Sequence, residues 1–149
     1  MNDEQFMEIA FLEAKKAKKV NEIPVGAIIV LNGQIIERGH NQSISTDDPT
    51  SHAEINVIRN AAKKIGNYRL TGATMYVTLE PCAMCYGAII HARIKRLIFG
   101  AYDLKTGVCG SSIKLHEQKC FNHSPEVKGG VLKEDCSLLL KDFFKERRS

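Results

Sequence analysis

The sequence lacks the features that mark membrane, secreted and repeat proteins. No apolar run is long enough to cross a bilayer, and residues 1–19, acidic and then rich in lysine, do not resemble a signal peptide. No internal repeat or low-complexity linker divides the 149 residues, a length typical of one domain. We therefore expect a single domain over residues 1–149, located in the cytoplasm and not associated with a membrane.

A strong excess of charge of one sign is also missing. The net charge of +4 permits a polyanionic partner without requiring one. A lysine cluster at 15–19 is typical of a solvated helix end, where cations complement the helix dipole. A second cluster, at 141–148, adjoins Phe143 and Phe144. Aromatic groups mixed with basic ones are frequent on RNA-binding surfaces, so this cluster indicates an RNA contact.

The order of hydrophobic patterns predicts an α/β protein. Asn32-Gly33 is a strong hairpin signal, and Gly66 is a helix stop. The patterns predict a three-layer α/β/α sandwich around a mixed central sheet of about five strands. Polar segments at 41–51 and 102–126 are expected to be loops, and the second is long enough to suggest a function. Helices are expected over 3–19, 52–65, 82–92 and from about 132 to 143, and strands over 25–31, 34–39, 73–79, 96–101 and 127–132.

Three potential metal ligands fall at two predicted helix starts. His52 follows the helix-start signal of residues 48–51, and Cys82 and Cys85 follow Pro81, which suits a first helical turn. Cysteines spaced i,i+3 reach one point, and a helix N-terminus favours thiolate over thiol. Three protein ligands leave the fourth position of a tetrahedral zinc ion open, which is typical of catalytic sites. We expect one zinc ion per chain.

Glu54 indicates what the metal does. It shares the apolar helix stripe of Val57, Ile58, Ala61 and Ile65, where a carboxyl group is costly to bury without a partner. A first-turn acid is often only a favourable charge at the helix dipole. Next to a metal site, we instead predict that Glu54 is a general acid–base group.

The remaining cysteines, Cys109, Cys120 and Cys136, are expected to be free thiols in a cytosolic protein, with Cys136 on the core stripe of the last helix.

The H-x-E and P-C-x-x-C pattern is the known signature of zinc-dependent base deaminases. Over nearly its whole length the chain resembles the bacterial-type tRNA-specific adenosine deaminases. The resemblance implies a cytidine deaminase-like fold, a homodimer, and deamination of adenosine to inosine at the tRNA wobble position by zinc-activated hydroxide with Glu54 as proton shuttle. The matching segments are 24–27, 48–54, 67–70, 76–85, 87–94, 99–101, 105–107, 121–123 and 142–144.

The same resemblance assigns further contacts to the substrate in the anticodon arm. It implies that Asn41 and the Ala53 N–H contact the target nucleoside, and that Asp103 faces the RNA backbone. From the residues alone, Asn41 also suits turn chemistry and Asp103 a loop cap. The resemblance further implies RNA contacts for Asn122, His123, Phe143 and Phe144.

Two alternatives remain open. A deaminase of the same superfamily acting on guanine or a pyrimidine nucleoside would use the same metal chemistry behind different pocket walls. A non-catalytic zinc module that only scaffolds RNA would normally carry four protein ligands, whereas no fourth ligand adjoins His52, Cys82 and Cys85.

Overall fold

The computed structural model describes residues 1–148, and side chains up to Arg147. Ser149 and the Arg148 side chain, both part of the predicted basic tail, lie outside the described residues. The helices are α1 (Asp3–Lys19), α2 (Ala53–Ile65), α3 (Ala83–His91) and α4 (Lys133–Arg148), with a short 3-10 turn at Leu115–Glu117. The strands are β1 (Gly26–Leu31), β2 (Gln34–His40), β3 (Thr74–Leu79), β4 (Arg96–Ala101) and β5 (Glu126–Lys128).

The strands form one mixed sheet in the order β2-β1-β3-β4-β5. β1 pairs antiparallel with β2 and β3, whereas β3, β4 and β5 run parallel. The β1–β2 hairpin turns at Asn32 and Gly33, both with positive φ, as a two-residue hairpin of this type requires. Because β3 and β4 are parallel, the segments that follow them leave the sheet at the same edge.

Two hydrophobic cores cover the two faces of the sheet. One joins α2 and α3 to the sheet through residues such as Val57, Ile89 and Phe99. The other joins α1 to the opposite face, where Phe6 stacks on Tyr76 at a ring-centroid distance of 5.1 Å. Helix α4 packs against β4 and β3, and also touches α1. The predicted three-layer α/β/α fold is confirmed.

Local sequence signals fix several element ends. Asn2 caps α1 in a capping box with Gln5, and Gly66 ends α2 in the left-handed conformation with φ 70°. The residues that precede α2 and α3 are His52 and Cys82, each with extended backbone. Two of the three predicted metal ligands, His52 and Cys82, therefore stand at helix starts, as expected.

Three sequence predictions require correction. The last strand ends at Lys128 and not at 132, because Gly130 and Leu132 adopt positive φ and turn the chain into α4. Ile65 is 40% exposed, so the buried stripe of α2 stops one turn earlier than predicted. The segment 102–126 is not uniformly irregular, since it contains the 3-10 turn and a bridge between Cys109 and Lys114.

Within residues 1–148, none of the helices is both long and apolar enough to cross a membrane.

Candidate active site

The three predicted metal ligands meet at the edge of the sheet where β3 ends. The His52 Nδ1 atom lies 3.8 Å from the Cys82 Sγ atom and 3.4 Å from the Cys85 Sγ atom. All three ligand atoms lie within 4.8 Å of one another. The two helix starts thus bring together ligands that are far apart in the chain.

The geometry and donor types of this cluster suit zinc. Zinc binds sulfur at about 2.3 Å and imidazole nitrogen at about 2.0–2.1 Å, so a tetrahedral angle places S and N roughly 3.6 Å apart. The observed S–N distances of 3.4 and 3.8 Å bracket that value. Among the described residues, no fourth His, Cys, Asp or Glu joins the group. The cluster can hold a zinc ion through three protein ligands, with one tetrahedral position left for a non-protein ligand.

Hydrogen bonds among the three side chains shift their pKa values. A hydrogen bond from the Cys85 thiol, assisted by His52, lowers the pKa of Cys82 to about 4. Donation to Cys82, together with burial, raises the pKa of Cys85, and the hydrogen bond with Cys82 raises that of His52. Because metal ligands must lose these protons, binding of a divalent cation releases protons and its affinity rises with pH.

Glu54 is the second residue of α2 and stands two positions after His52. It lines the same pocket as His52. The residue is only 4% exposed. Burial raises the pKa of the Glu54 carboxyl to about 7, even though His52 acts in the opposite direction. A carboxyl group with a near-neutral pKa can both accept and donate a proton, which is what a general acid–base group requires.

Asn41 links the end of β2 to the start of α2. Its Oδ1 atom accepts a 2.7 Å hydrogen bond from the Ala53 N–H group. The same side chain lines the pocket together with His52 and Glu54. The Ala53 N–H is therefore engaged within the protein in this conformation, and Asn41 presents its amide at the site.

A cavity of about 720 Å³ opens in front of the metal ligands. This volume exceeds the space that a single base needs. One wall is made by residues 102–106, which follow β4, and we call this segment the wall loop. Residues of α4, including Lys141 and Phe144, line the same cavity. Lys105 and Lys141, which are both exposed, line this pocket together with the carboxyl group of Asp103.

The remaining predicted contact residues divide into two groups. Asp103 lines the pocket, and its carboxyl group accepts hydrogen bonds from the Lys105 and Thr106 N–H groups and the Thr106 hydroxyl. It therefore also caps its own loop. Phe144 lines the pocket and is 45% exposed, while Phe143 is buried and meets it edge-to-face.

Asn122 and His123 lie away from the residues that line the pocket. Asn122 is exposed. The His123 Nε2 atom lies 2.6 Å from the Ile94 carbonyl oxygen, which ties the long loop to the turn after α3. An RNA contact by this pair stays a prediction.

Sequence reasoning missed two residues that hold the segment before His52. The Glu22 carboxyl group is 1% exposed and accepts hydrogen bonds from the Ile44 and Ser45 N–H groups. Asn56 donates to the carbonyl groups of His40 and Ser51 and accepts from the Ser51 hydroxyl. No local pattern marks either residue, because their partners belong to an irregular loop.

The two basic clusters of the sequence meet in space. Lys18 Nζ at the end of α1 lies 3.4 Å from the Glu146 carboxyl group on α4. Arg147 donates to the Asn21 carbonyl at 3.5 Å and stacks over the Phe143 ring. The ends of α1 and α4 thus form one basic surface next to the pocket side that carries Lys141.

Comparison with known proteins agrees with this geometry. The sequence model of the cytidine and deoxycytidylate deaminase zinc-binding region matches residues 1–101. A tRNA-specific adenosine deaminase of Haemophilus influenzae is 54% identical over 147 residues, which cover 98% of this chain and 85% of that protein. A structure solved in a study of A-to-I editing by tRNA:A34 deaminases at the wobble position of transfer RNA superposes with a TM-score of 0.89. It shares 44% identity and covers 91% of this chain and 99% of its own.

A guanine deaminase is a more distant match. The enzyme of Bacillus subtilis superposes with a TM-score of 0.68 at 31% identity, covering 100% of this chain and 96% of its own. Both the structural agreement and the identity are lower than for the A34 deaminase structure.

Proposed function

The chain belongs to the zinc-binding cytidine and deoxycytidylate deaminase family, and we propose that it hydrolyses adenosine to inosine at the wobble position of tRNA. The observation that carries the proposal is the buried Glu54 carboxyl group in one pocket with His52 and Cys82, two members of the His52, Cys82 and Cys85 cluster. The tRNA-specific relatives direct the choice of substrate, because the metal chemistry alone does not distinguish one base from another.

The chemistry follows from the placement of Glu54. His52, Cys82 and Cys85 would hold the zinc ion, which when bound would lower the pKa of a water molecule and so supply a nucleophile near neutral pH. The Glu54 carboxylate takes a proton from the attacking water and passes it to a ring nitrogen of the adenine. It then takes the second proton of the former water from the new C6 hydroxyl group and delivers it to the amino group, which leaves C6 as ammonia. One water is consumed, one ammonia is released, and oxygen replaces nitrogen on C6.

The pocket supports an RNA substrate in preference to a free base. Asn41 lies beside the zinc ligands, whereas the wall loop, Lys141 and Phe144 extend the cavity beyond the space of one base. Cations can bind phosphate, and an exposed aromatic ring can stack on an unpaired base. An anticodon loop offers such bases at little unstacking cost. The anticodon arm is therefore the partner that we assign to this pocket.

We further propose that the enzyme works as a homodimer in the cytoplasm, as the family resemblance implies. Exposed apolar side chains at Tyr68 and Met84, 73% and 38% exposed, are available for a subunit contact. Light scattering on the purified protein tests this directly, and a monomeric mass at enzyme concentrations used for assays would contradict it.

The proposal is tested by incubating the zinc-loaded protein with total tRNA and sequencing the products. We expect inosine at position 34 of the substrate tRNA and nowhere else in the anticodon loop. The same preparation is assayed for ammonia release from adenosine and guanine. If guanine has the higher kcat/KM, the alternative, a small-molecule deaminase, replaces the tRNA assignment, and the role of Glu54 stands.

A further inference from the structure

Besides Glu54, a second buried carboxyl group, that of Glu80, lines the pocket. Glu80 is 2% exposed and follows the last residue of β3, two positions before the ligand Cys82. It is not one of the zinc ligands, and the proposed reaction leaves it without a task. A carboxyl group in such a position is costly unless hydrogen bonds satisfy it.

The hydrogen bonds of Glu80 all come from the chain that follows β4. Its Oε1 atom accepts from the Asp103 N–H group at 3.1 Å. Its Oε2 atom accepts from the N–H groups of Cys109 and Ser111 at 2.9 and 3.1 Å. The Ser111 hydroxyl donates to Oε1 as well. Four donors spread over residues 103–111 thus converge on one side chain.

Gly107 lets the loop lie directly on this carboxyl group. A methyl group added at Gly107 would overlap the carboxyl carbon of Glu80 and the backbone oxygen of Asp103. The Gly107 N–H in turn donates to that Asp103 oxygen at 2.9 Å. The close approach shows that the loop is wrapped around Glu80 and does not merely pass near it.

We propose that Glu80 is a positioning residue that sets the wall loop relative to the zinc ligands and thereby determines the preference for a structured RNA over a free nucleoside. Only Pro81 separates Glu80 from Cys82, so the carboxyl group that anchors the loop lies close in the chain to a proposed metal ligand. The wall loop places Asp103 and Lys105 at the pocket. In the proposed function, the nucleotides that flank the target would lie against this loop. This inference rests on the proposed function.

Loss of this positioning is expected to slow a large substrate more than a small one. A free nucleoside reaches the zinc ligands, Asn41 and Glu54 without needing the outer wall. An anticodon arm gains orientation from the wall, and a misplacement of about 1 Å can cost on the order of 100-fold in rate. Loss of the Glu80 hydrogen bonds should therefore lower turnover of the RNA and spare that of the nucleoside.

The test replaces Glu80 by glutamine, which keeps the volume but turns one acceptor oxygen into a donor that faces N–H groups. We expect the ratio of kcat/KM for an anticodon stem-loop to kcat/KM for adenosine to fall by about 10-fold or more, mainly through kcat for the stem-loop. Zinc content should remain one per chain. Glu13→Gln is the matched control, since Glu13 is a buried carboxyl group, 4% exposed, that contacts Lys16 and not the pocket.

A second readout needs no activity. In Glu80→Gln the amide protons of Asp103, Cys109 and Ser111 should exchange with solvent at least about 10-fold faster, while amides of the β3–β4 ladder keep their rates. Ser111→Ala removes part of the network and should shift both readouts less, in the same direction. It supplies the test if Glu80→Gln folds poorly.

The outcomes separate the inference from the function on which it rests. A wild-type protein that leaves the stem-loop unmodified contradicts the proposed function. If the wild type deaminates the stem-loop, an unchanged substrate ratio or unchanged amide exchange in Glu80→Gln overturns the inference. Loss of zinc in that variant also overturns it, because Glu80 would then act through Cys82.

Discussion

The Asn41 side-chain oxygen accepts a 2.7 Å hydrogen bond from the backbone N–H of Ala53. Ala53 stands between the metal ligand His52 and the general acid–base group Glu54, so this one bond ties both to the end of β2. Asn41 thus holds the start of α2, and we propose that it also offers its amide group to the substrate.

Two substitutions of Asn41 separate these tasks. Asn41→Asp keeps an acceptor for Ala53 and removes the amide donor, whereas Asn41→Ala removes both. If the amide reads the base, both variants should lose about 10- to 100-fold in kcat/KM, the usual cost of one unsatisfied polar contact. Steady-state kinetics on the stem-loop measures this. Wild-type kinetics in Asn41→Asp would show that the residue acts only on α2.

Removing the Glu54 carboxyl group separates chemistry from metal binding. Glu54→Ala should retain zinc and fold, because the residue is not a ligand, and should lose at least ~100-fold in kcat. Single-turnover assays and metal analysis are run together, with Glu13→Gln as a control for loss of a buried carboxyl group elsewhere. Turnover within a few-fold of wild type would rule out the proton-shuttle role.

Zinc content tests the ligand set. The purified protein should hold one zinc per chain, and Cys82→Ala or Cys85→Ala should lose most of it and unfold at a lower temperature, since ligation contributes to stability. Cys120→Ala removes an exposed thiol and should change neither property. A second equivalent of zinc in the wild type, or full zinc in the double variant of Cys82 and Cys85, would contradict the assignment.

The basic surface at the ends of α1 and α4 should affect RNA binding without affecting chemistry. Deleting residues 145–149 should weaken tRNA binding and reduce its salt dependence, by about one unit of slope for each lost phosphate contact. Binding is measured by fluorescence anisotropy across a salt series. Lys63→Ala, on α2 in the opposite layer, is the control for removal of a cation. An identical slope in the deletion variant would indicate that the tail is a solvated helix end.

Asp3 should make stability depend on acid pH. Burial acts to raise the pKa of Asp3, but hydrogen bonds from Tyr76, Arg96 and Lys128 outweigh it and lower the pKa to about 2. A depressed carboxyl pKa stabilises the fold above its unfolded value near 4, and that contribution is lost as pH falls towards 2. Asp3→Asn should therefore destabilise the protein at pH 7, and its difference from wild type should shrink from about pH 4 downwards. Urea unfolding followed by circular dichroism measures this difference, and a constant difference across that range would contradict it.

The sequence predicted the metal site well, because each half of it is a local pattern. A helix start fixes His52 and Glu54, and an i,i+3 pair fixes Cys82 and Cys85. The residues that hold the loops were not predictable in this way. Glu80 finds its partners Cys109 and Ser111 at separations of 29 and 31 residues, inside a loop whose path no periodicity encodes. His123 was predicted to face RNA, yet a lone polar side chain does not reveal that it meets the Ile94 carbonyl.

The parallel pairing of β3 and β4 has a consequence for how this scaffold diversifies. The proposed zinc ligands and Glu54 follow β2 and β3, whereas the wall loop follows β4. The residues proposed for the chemistry and those of the wall loop therefore occupy separate stretches of the sequence. Mutations in residues 102–106 can reshape the accepted base or nucleic acid without touching a zinc ligand or Glu54. A search for variants with a new substrate can therefore be limited to these five residues. The proposed zinc ligands and Glu54 stay unchanged in every variant of such a search.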